Sequence, residues 1–344
     1  MTDQRRKNIL PLARRLSLER LIALSGQYFA FPYYHSVSNH QLSHIKYLYQ
    51  LRTMAEFKRD LEVFLRWYEP VALSDYLRDV EEHGGNDIKR KKGPEKKKRK
   101  MVLSFDDGLA ECHSAAAPVL VRMGIPALFF LNNSFIDNRE LFFRYKASIL
   151  VDRVFSDGKA MKRAAEFLVI PEEQVVRAIL MVRYKQRPLL DALAREVDVD
   201  YGEYMKTHPV YMSSSQIREL LRWGFEIGGH TRDHADFLQL NEEEMVAQVS
   251  QSVMDLRQRF GTATRFFALP FTSDGVPKRV VDRMLDERLV DAIFGTAGLK
   301  KTGHPRFIQR IPMEDSGWPA LDILKAEYFY YLLKEVVGRN RYRY

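Results

Sequence analysis

Two adjacent carboxylates, Asp106 and Asp107, close the run Leu103-Ser104-Phe105-Asp106-Asp107-Gly108. Neighbouring side chains on a strand point to opposite faces, so this pair can serve one site only where a strand gives way to a loop. Gly108 offers the backbone freedom such a turn needs. Crowded carboxylates raise each other's pKa unless a positive charge lies beside them, and a metal ion is the usual remedy. Its other ligands stand further along, in Gly228-Gly229-His230-Thr231-Arg232-Asp233-His234. Histidines four apart fall on one side of a helical turn or a tight loop. With Asp107, His230 and His234 make a set of two histidines and one aspartate. Such a set leaves positions open for water and substrate, which separates a catalytic metal from a structural one. Either motif alone is weak, since HxxxH recurs by chance and Asp-Asp-Gly is also a good turn sequence. Their conjunction, each after an apolar run, carries the reading.

The elements that must position these residues follow from periodicity. Ala30 to Val37 reads as a first strand ending near His35, and Met54 to Trp67 repeats its apolar residues at a helical period. A strand from Met101 to Phe105 delivers the carboxylates, a helix spans Ala110 to Met123, and Ala127 to Leu131 is a second core strand. Ser213 to Ser215 caps a helix to Trp223, and Phe225 to Gly228 is the strand that delivers His230. Asn241 opens a long amphipathic helix to about Phe260, followed by a strand from Arg265 to Leu269. Further signals are a helix at Lys278 to Leu285 and strands at Asp291 to Phe294 and Arg306 to Ile311. Strands alternating with helices imply parallel pairing, and motifs at the C-terminal strand ends suit an α/β barrel. Only six or seven strands are countable.

Residues 139–208 differ, being rich in helix formers with few strand signals. A piece this long between strands is expected to be a helical insertion rather than a loop. It follows the strand Ala127 to Leu131 and should rise over the motif-bearing end. There it would form a lid or wall of the substrate groove, or else a stabilising side domain.

The chain has 344 residues, 46% of them hydrophobic, enough for one large core. No stretch reaches the roughly 18 apolar residues a membrane span requires. The polar, basic segment from Met1 to Arg20 lacks the apolar core of a secretory signal, so a cytoplasmic protein is expected. One cysteine, Cys112, excludes an internal disulfide and is read as packing. The net charge of +9 invites a nucleic-acid reading, but residues 89–100 alone contribute +8 of it. A phosphate-tracking groove would spread its charge over several elements. The segment reads as a solvated connector or as a peripheral tether to an anionic surface, with no specific nucleic-acid partner.

The chain resembles the polysaccharide deacetylase family, the NodB-homology enzymes of carbohydrate esterase family 4. Ser104 to Gly108 matches the family's [TS]-F-D-D-G motif and His230 to His234 its H-[ST]-x-x-H motif. Phe267-Ala268-Leu269-Pro270-Phe271 is similar to its third motif, ending in Pro-aromatic. Tyr34-His35-Ser36-Val37 matches the Y-H-x-V element of a permuted branch. The resemblance implies a distorted (β/α) barrel of about seven strands. The expected organisation is an N-terminal segment at 1–29, a barrel at 30–138 and 209–318, the insertion at 139–208 and a C-terminal helix at 319–344.

It also implies removal of N-acetyl groups from a polysaccharide or glycan, a hydrolysis of linear amides. One divalent metal, zinc before cobalt or nickel, would sit on Asp107, His230 and His234. Asp106 would be the general base and His35 the general acid. Pro270 and Phe271 would shape the oxyanion site, with the N–H of Phe271 as donor because Pro270 has none. Arg310 is grouped with them as an oxyanion or substrate contact. Two departures stand out: Ala268 occupies the place of an arginine that orients the aspartate in many members, with Arg265 nearest, and Thr272 replaces the usual glycine. The competing readings are an O-acetyl esterase or small-amide hydrolase on the same site, and a catalytically inactive carbohydrate-binding member. The sugar, its linkage and the oligomeric state are not readable.

Overall fold

The structure is a computed structural model that describes residues 3–83, 99–314, 317–342 and 344. Most of the basic segment at 89–100 therefore lies outside the described residues, and its expected role has no structural counterpart here. No helix among the described residues is long and apolar enough to cross a membrane.

The centre is a sheet of eight parallel strands: β1 (Pro32–Tyr34), β2 (Leu103–Phe105), β3 (Ala127–Leu131), β4 (Glu226–Gly229), β5 (Phe266–Ala268), β6 (Ala292–Gly295), β7 (Phe307–Gln309) and β8 (Ile311–Pro312). Their spatial order is β7-β6-β5-β4-β3-β2-β1-β8. β7 and β8 are two halves of one stretch, interrupted only by Arg310. The first half pairs with β6 and the second with β1, so one segment joins both edges of the sheet into a barrel. The count of about seven strands and the eight observed segments thus describe the same ring. Strands covered on both faces need unbroken apolar runs, and all five residues of β3 are buried.

A smaller parallel sheet of Phe29–Ala30, Arg99–Met101 and Tyr68–Pro70 extends the barrel at the opposite end from the motifs. Only Phe31 and Val102 separate it from β1 and β2.

Helices begin where the sequence supplies caps. Thr53 and Glu56 form a capping box on Met54–Trp67, Ser213 and Gln216 on Ser214–Arg222, and Asn241 and Glu244 on Glu242–Phe260. After the carboxylate motif the expected helix starts as a π turn, Cys112–Ala116, before the α-helix Ala117–Met123. Pro118 has no N–H and its ring crowds the preceding turn, which a wider turn relieves. Residues 139–208 fold into five α-helices: Phe143–Ser156, Gly158–Leu168, Glu172–Leu180, Pro188–Glu196 and Tyr201–Thr207. Helices Asp3–Arg14 and Leu18–Ser25 pack on the C-terminal helix Ala320–Val336. Leu21, Ile22, Ile323 and Leu324 are buried there.

Candidate metal centre and active site

The functional side chains emerge at the C-terminal ends of β1, β2, β4, β5 and β7–β8. At the end of β2 the chain turns with Asp107 itself at φ 70°, ahead of Gly108 at φ 70°. This left-handed step lets both carboxylates face the same side. It is not isolated. Of nine non-glycine residues with positive φ among those described, Asp107, Thr231, His234 and Phe271 belong to the site. Backbone held in such sparsely populated conformations persists only where surrounding contacts enforce it.

Asp107, His230 and His234 are buried, and their ligand atoms lie within 4.8 Å of one another. The histidines sit on a loop after β4 rather than on a helix. Gly229 is required in that strand, since an added Cβ would lie 2.5 Å from the Ser252 hydroxyl. The His230 Nδ1–H donates to the Ala268 carbonyl at 2.8 Å, leaving Nε2 as a free lone pair toward the cleft. Asp107 Oδ1 lies 3.5 Å from His230 Nε2 and 3.3 Å from His234 Nε2. It is buried with no hydrogen-bond partner, as is His234 Nδ1. An orphaned carboxylate oxygen between two imidazole nitrogens fits a divalent cation, and the N,N,O donor set is that of a catalytic zinc site. Burial alone would raise the Asp107 pKa, but the surrounding imidazoles, His234 foremost, hold it well below the carboxylate range. Burial pushes His230 down to about 4, so it stays neutral and able to ligate.

Asp107 Oδ2 accepts a hydrogen bond from Tyr145 at 2.9 Å. Tyr145 thereby uses its only proton, so its 2.9 Å contact with Tyr49 requires Tyr49 to be the donor. This chain of two hydroxyls fixes the orientation of Asp107, as partners of metal ligands commonly do.

Asp106 is gripped from below. Arg310 Nη1 and Nη2 donate to its two oxygens, each at 2.7 Å, and both residues are buried. Burial opposes the Asp106 charge, but Arg310 outweighs it and keeps the pKa below the usual value. Arg310 also donates to Ser104 at 3.1 Å and lies over the Tyr33 ring at 4.3 Å.

His35 leaves the end of β1, and its Nδ1 lies 2.6 Å from Glu314 Oε2. The same carboxylate accepts the backbone N–H groups of His35 and Ser36. Burial disfavours the imidazolium, yet the Glu314 charge and hydrogen bond carry the His35 pKa up to about 10. Its ring rests on Tyr49, with centroids 4.7 Å apart, and its carbonyl accepts from the buried Cys112 thiol at 3.1 Å.

His35, Tyr49, Asp106, Asp107, His230 and His234 line one cleft of about 320 Å³. The insertion forms a wall of it. Phe142 packs on His234 with ring centroids 4.3 Å apart, and Arg144 and Leu180 lie beside it. Asp233, within the histidine loop, accepts from Tyr184 of the insertion at 2.7 Å, so the loop and the wall are tied together. Opposite, Phe271 stands 4.6 Å from the His234 ring, and no described residue accepts its backbone N–H.

Asp106, Asp107, His35, His230, His234 and Phe271 are thus brought together, with Pro270 immediately before Phe271. Arg310 is placed differently from the expectation of an oxyanion or substrate contact. It is fully buried beneath the cleft, where Asp106, Ser104 and the Gly295 carbonyl take its N–H groups. It supplies the orienting arginine whose usual position holds Ala268. Arg265 does not, because it pairs with Asp291 at 2.7 Å. Sequence reasoning missed Glu314, Tyr145 and Tyr49. Glu314 was findable, since it follows an apolar strand in the same way as Asp106. The tyrosines carried no local signal.

A family model described as Polysaccharide deacetylase matches residues 93–177 and 185–286. No curated protein matches the chain. Among solved structures, the fold is similar to IcaB from Ammonifex degensii, with a TM-score of 0.53 and 16% identity over 87% of this chain and 97% of that one. It is also similar to the Streptococcus pyogenes deacetylase PplD in complex with acetate, with a TM-score of 0.54 and 12% identity over 87% and 97%. A de-N-acetylase from Aggregatibacter actinomycetemcomitans gives a TM-score of 0.50 and 17% identity over 84% and 96%.

Proposed function

The chain belongs to the polysaccharide deacetylase family, and from that premise we propose that it is a metal-dependent N-deacetylase of an acetylated glycan. One observation carries this reading: Asp106, His35 and the buried cluster of Asp107, His230 and His234 share a single cleft.

Asp107, His230 and His234 would hold the ion, with zinc favoured by the donor set. When bound, such an ion polarises an acyl carbonyl and acidifies water near neutral pH. Asp106, kept ionised by Arg310, takes the proton of the attacking water. Each of its oxygens retains a second lone pair for this after the arginine is satisfied. The free Phe271 N–H donates to the oxygen that becomes the oxyanion. His35 is protonated on both nitrogens, with Nδ1–H given to Glu314, and passes its Nε2 proton to the departing nitrogen. Acetate and a free amine result.

The choice of nitrogen over oxygen rests on His35. An amine cannot leave without a proton, whereas an alcohol places a weaker demand on the acid. An imidazolium held up to about 10 suits the harder departure.

The test measures metal content and acetate release from N-acetylglucosamine oligomers for the parent protein and Asp107→Ala. One ion per chain and acetate release, both lost in the variant, is the expected result. An inert, metal-loaded parent would turn the search to other acyl substrates, and no metal under any loading condition would end the mechanism.

A further inference from the structure

Arg144 stands out once the charges of the cleft are paired. Asp106 is matched by Arg310, and His35 by Glu314. Asp107 faces the two histidines of the metal set. Arg144 lines the same cleft, is half-buried, and has no carboxylate partner among the described residues. Asp236 is close enough to influence its charge but forms no ion pair with it. Of its five N–H groups, the only one with an acceptor among the described residues donates to the Leu180 carbonyl at 2.5 Å, at the C-terminal end of the helix Glu172–Leu180. That bond anchors the guanidinium on the wall without neutralising it.

A fixed guanidinium with unused parallel donors matches a planar or tetrahedral oxyanion. A neutral sugar would leave this half-buried charge without a counter-charge. We propose that Arg144 reads an anionic substituent on the substrate, a carboxylate or phosphate carried by the acetylated sugar or its immediate neighbour. The preferred substrate is then an acidic rather than a neutral glycan. This rests on the deacetylase reading above and adds to it the substrate class.

The test compares three probes: a neutral N-acetylglucosamine tetramer, a glycan alternating N-acetylglucosamine with N-acetylmuramic acid, and an N-acetylglucosamine dimer bearing a terminal phosphate. The parent should show a lower KM for at least one acidic probe than for the neutral one, and which acidic probe leads identifies the anion. Arg144→Gln should raise that KM about 10- to 100-fold, as expected for a lost hydrogen bond to a charged group. Its KM for the neutral tetramer should change far less than that for the acidic probe, and Arg144→Lys should recover part of the loss. Raising salt from about 0.05 to about 0.5 M should weaken the acidic probe alone in the parent, a readout that needs no variant to fold. Equal losses on neutral and acidic probes would reduce Arg144 to a helix-end anchor and overturn the proposal, as would a parent with no acidic preference. If no probe releases acetate, the deacetylase reading fails separately. Calorimetric titration of the metal-free protein and Arg144→Gln with the acidic probes then still decides whether Arg144 binds the anion.

Discussion

Arg310 and Asp106, 204 residues apart in the chain, form a two-pronged ion pair at the seam of the barrel. Arg310 is the single residue between the half-strand that pairs with β6 and the half-strand that pairs with β1. The residue that links the two half-strands of the seam therefore also orients the proposed base, which ties the fold and the site together.

Replacing this arginine should injure both. Arg310→Met leaves Asp106 buried without its cation, and breaking a buried pair from one side costs roughly 3–5 kcal/mol of stability. The Asp106 carboxyl would rise in pKa, because the largest charge that offsets its burial is gone. At neutral pH kcat should fall by about 10²- to 10⁴-fold, and the acid limb of the pH–rate profile should move upward. The sign follows from the depressed pKa: the pair stabilises the fold above the ordinary carboxylate value of 3.8 and is lost as pH falls below it. Denaturant titration and a pH–rate profile check both; an unmoved acid limb would remove Asp106 as the base.

Glu314→Gln isolates the acid. The proton on His35 is held by Glu314, so the basic limb of kcat should sit near about 10 in the parent. In the variant it should drop toward the ordinary histidine value of 6.5, because burial is then opposed only by the weaker pull of the Asp107 and Asp106 charges. In the parent the His35 contribution to stability is complete below pH 6.5 and fades as pH rises through about 10. A profile identical in both proteins would place the acid elsewhere.

Tyr145→Phe deletes one hydroxyl and leaves the packing. Asp107 loses its orienting hydrogen bond, and metal affinity should weaken about 10- to 100-fold. The melting temperature of the metal-free protein should change little by comparison. Competition against a chelator of known affinity measures the first quantity, and unchanged metal affinity would make Tyr145 a packing residue only.

Metal removal should be visible without any substrate. At an ion concentration about 100 times Kd, binding adds about 2.7 kcal/mol to folding stability. Stripping the ion should lower the melting temperature, and restoring zinc should return it. Asp107→Ala should show neither response. A melting temperature indifferent to zinc in the parent would count against the ligand set.

Alone, the sequence determined the parts whose geometry is local. A strand side chain alternates and a strand end turns, so apolar runs ending in Asp106-Asp107 and Gly229-His230 marked their own ligands. Thr53, Ser213 and Asn241 marked helix starts because a cap bonds within three residues. Only the tertiary structure decided the partners: Arg310 for Asp106, Glu314 for His35 and Tyr145 for Asp107. Each of these pairs spans 38 residues or more. Their meeting depends on which strands are neighbours, on the segment that closes the ring, and on how the insertion leans over the strand ends. No spacing in the chain encodes those contacts, because they are set by packing across the whole barrel rather than by the period of any one element.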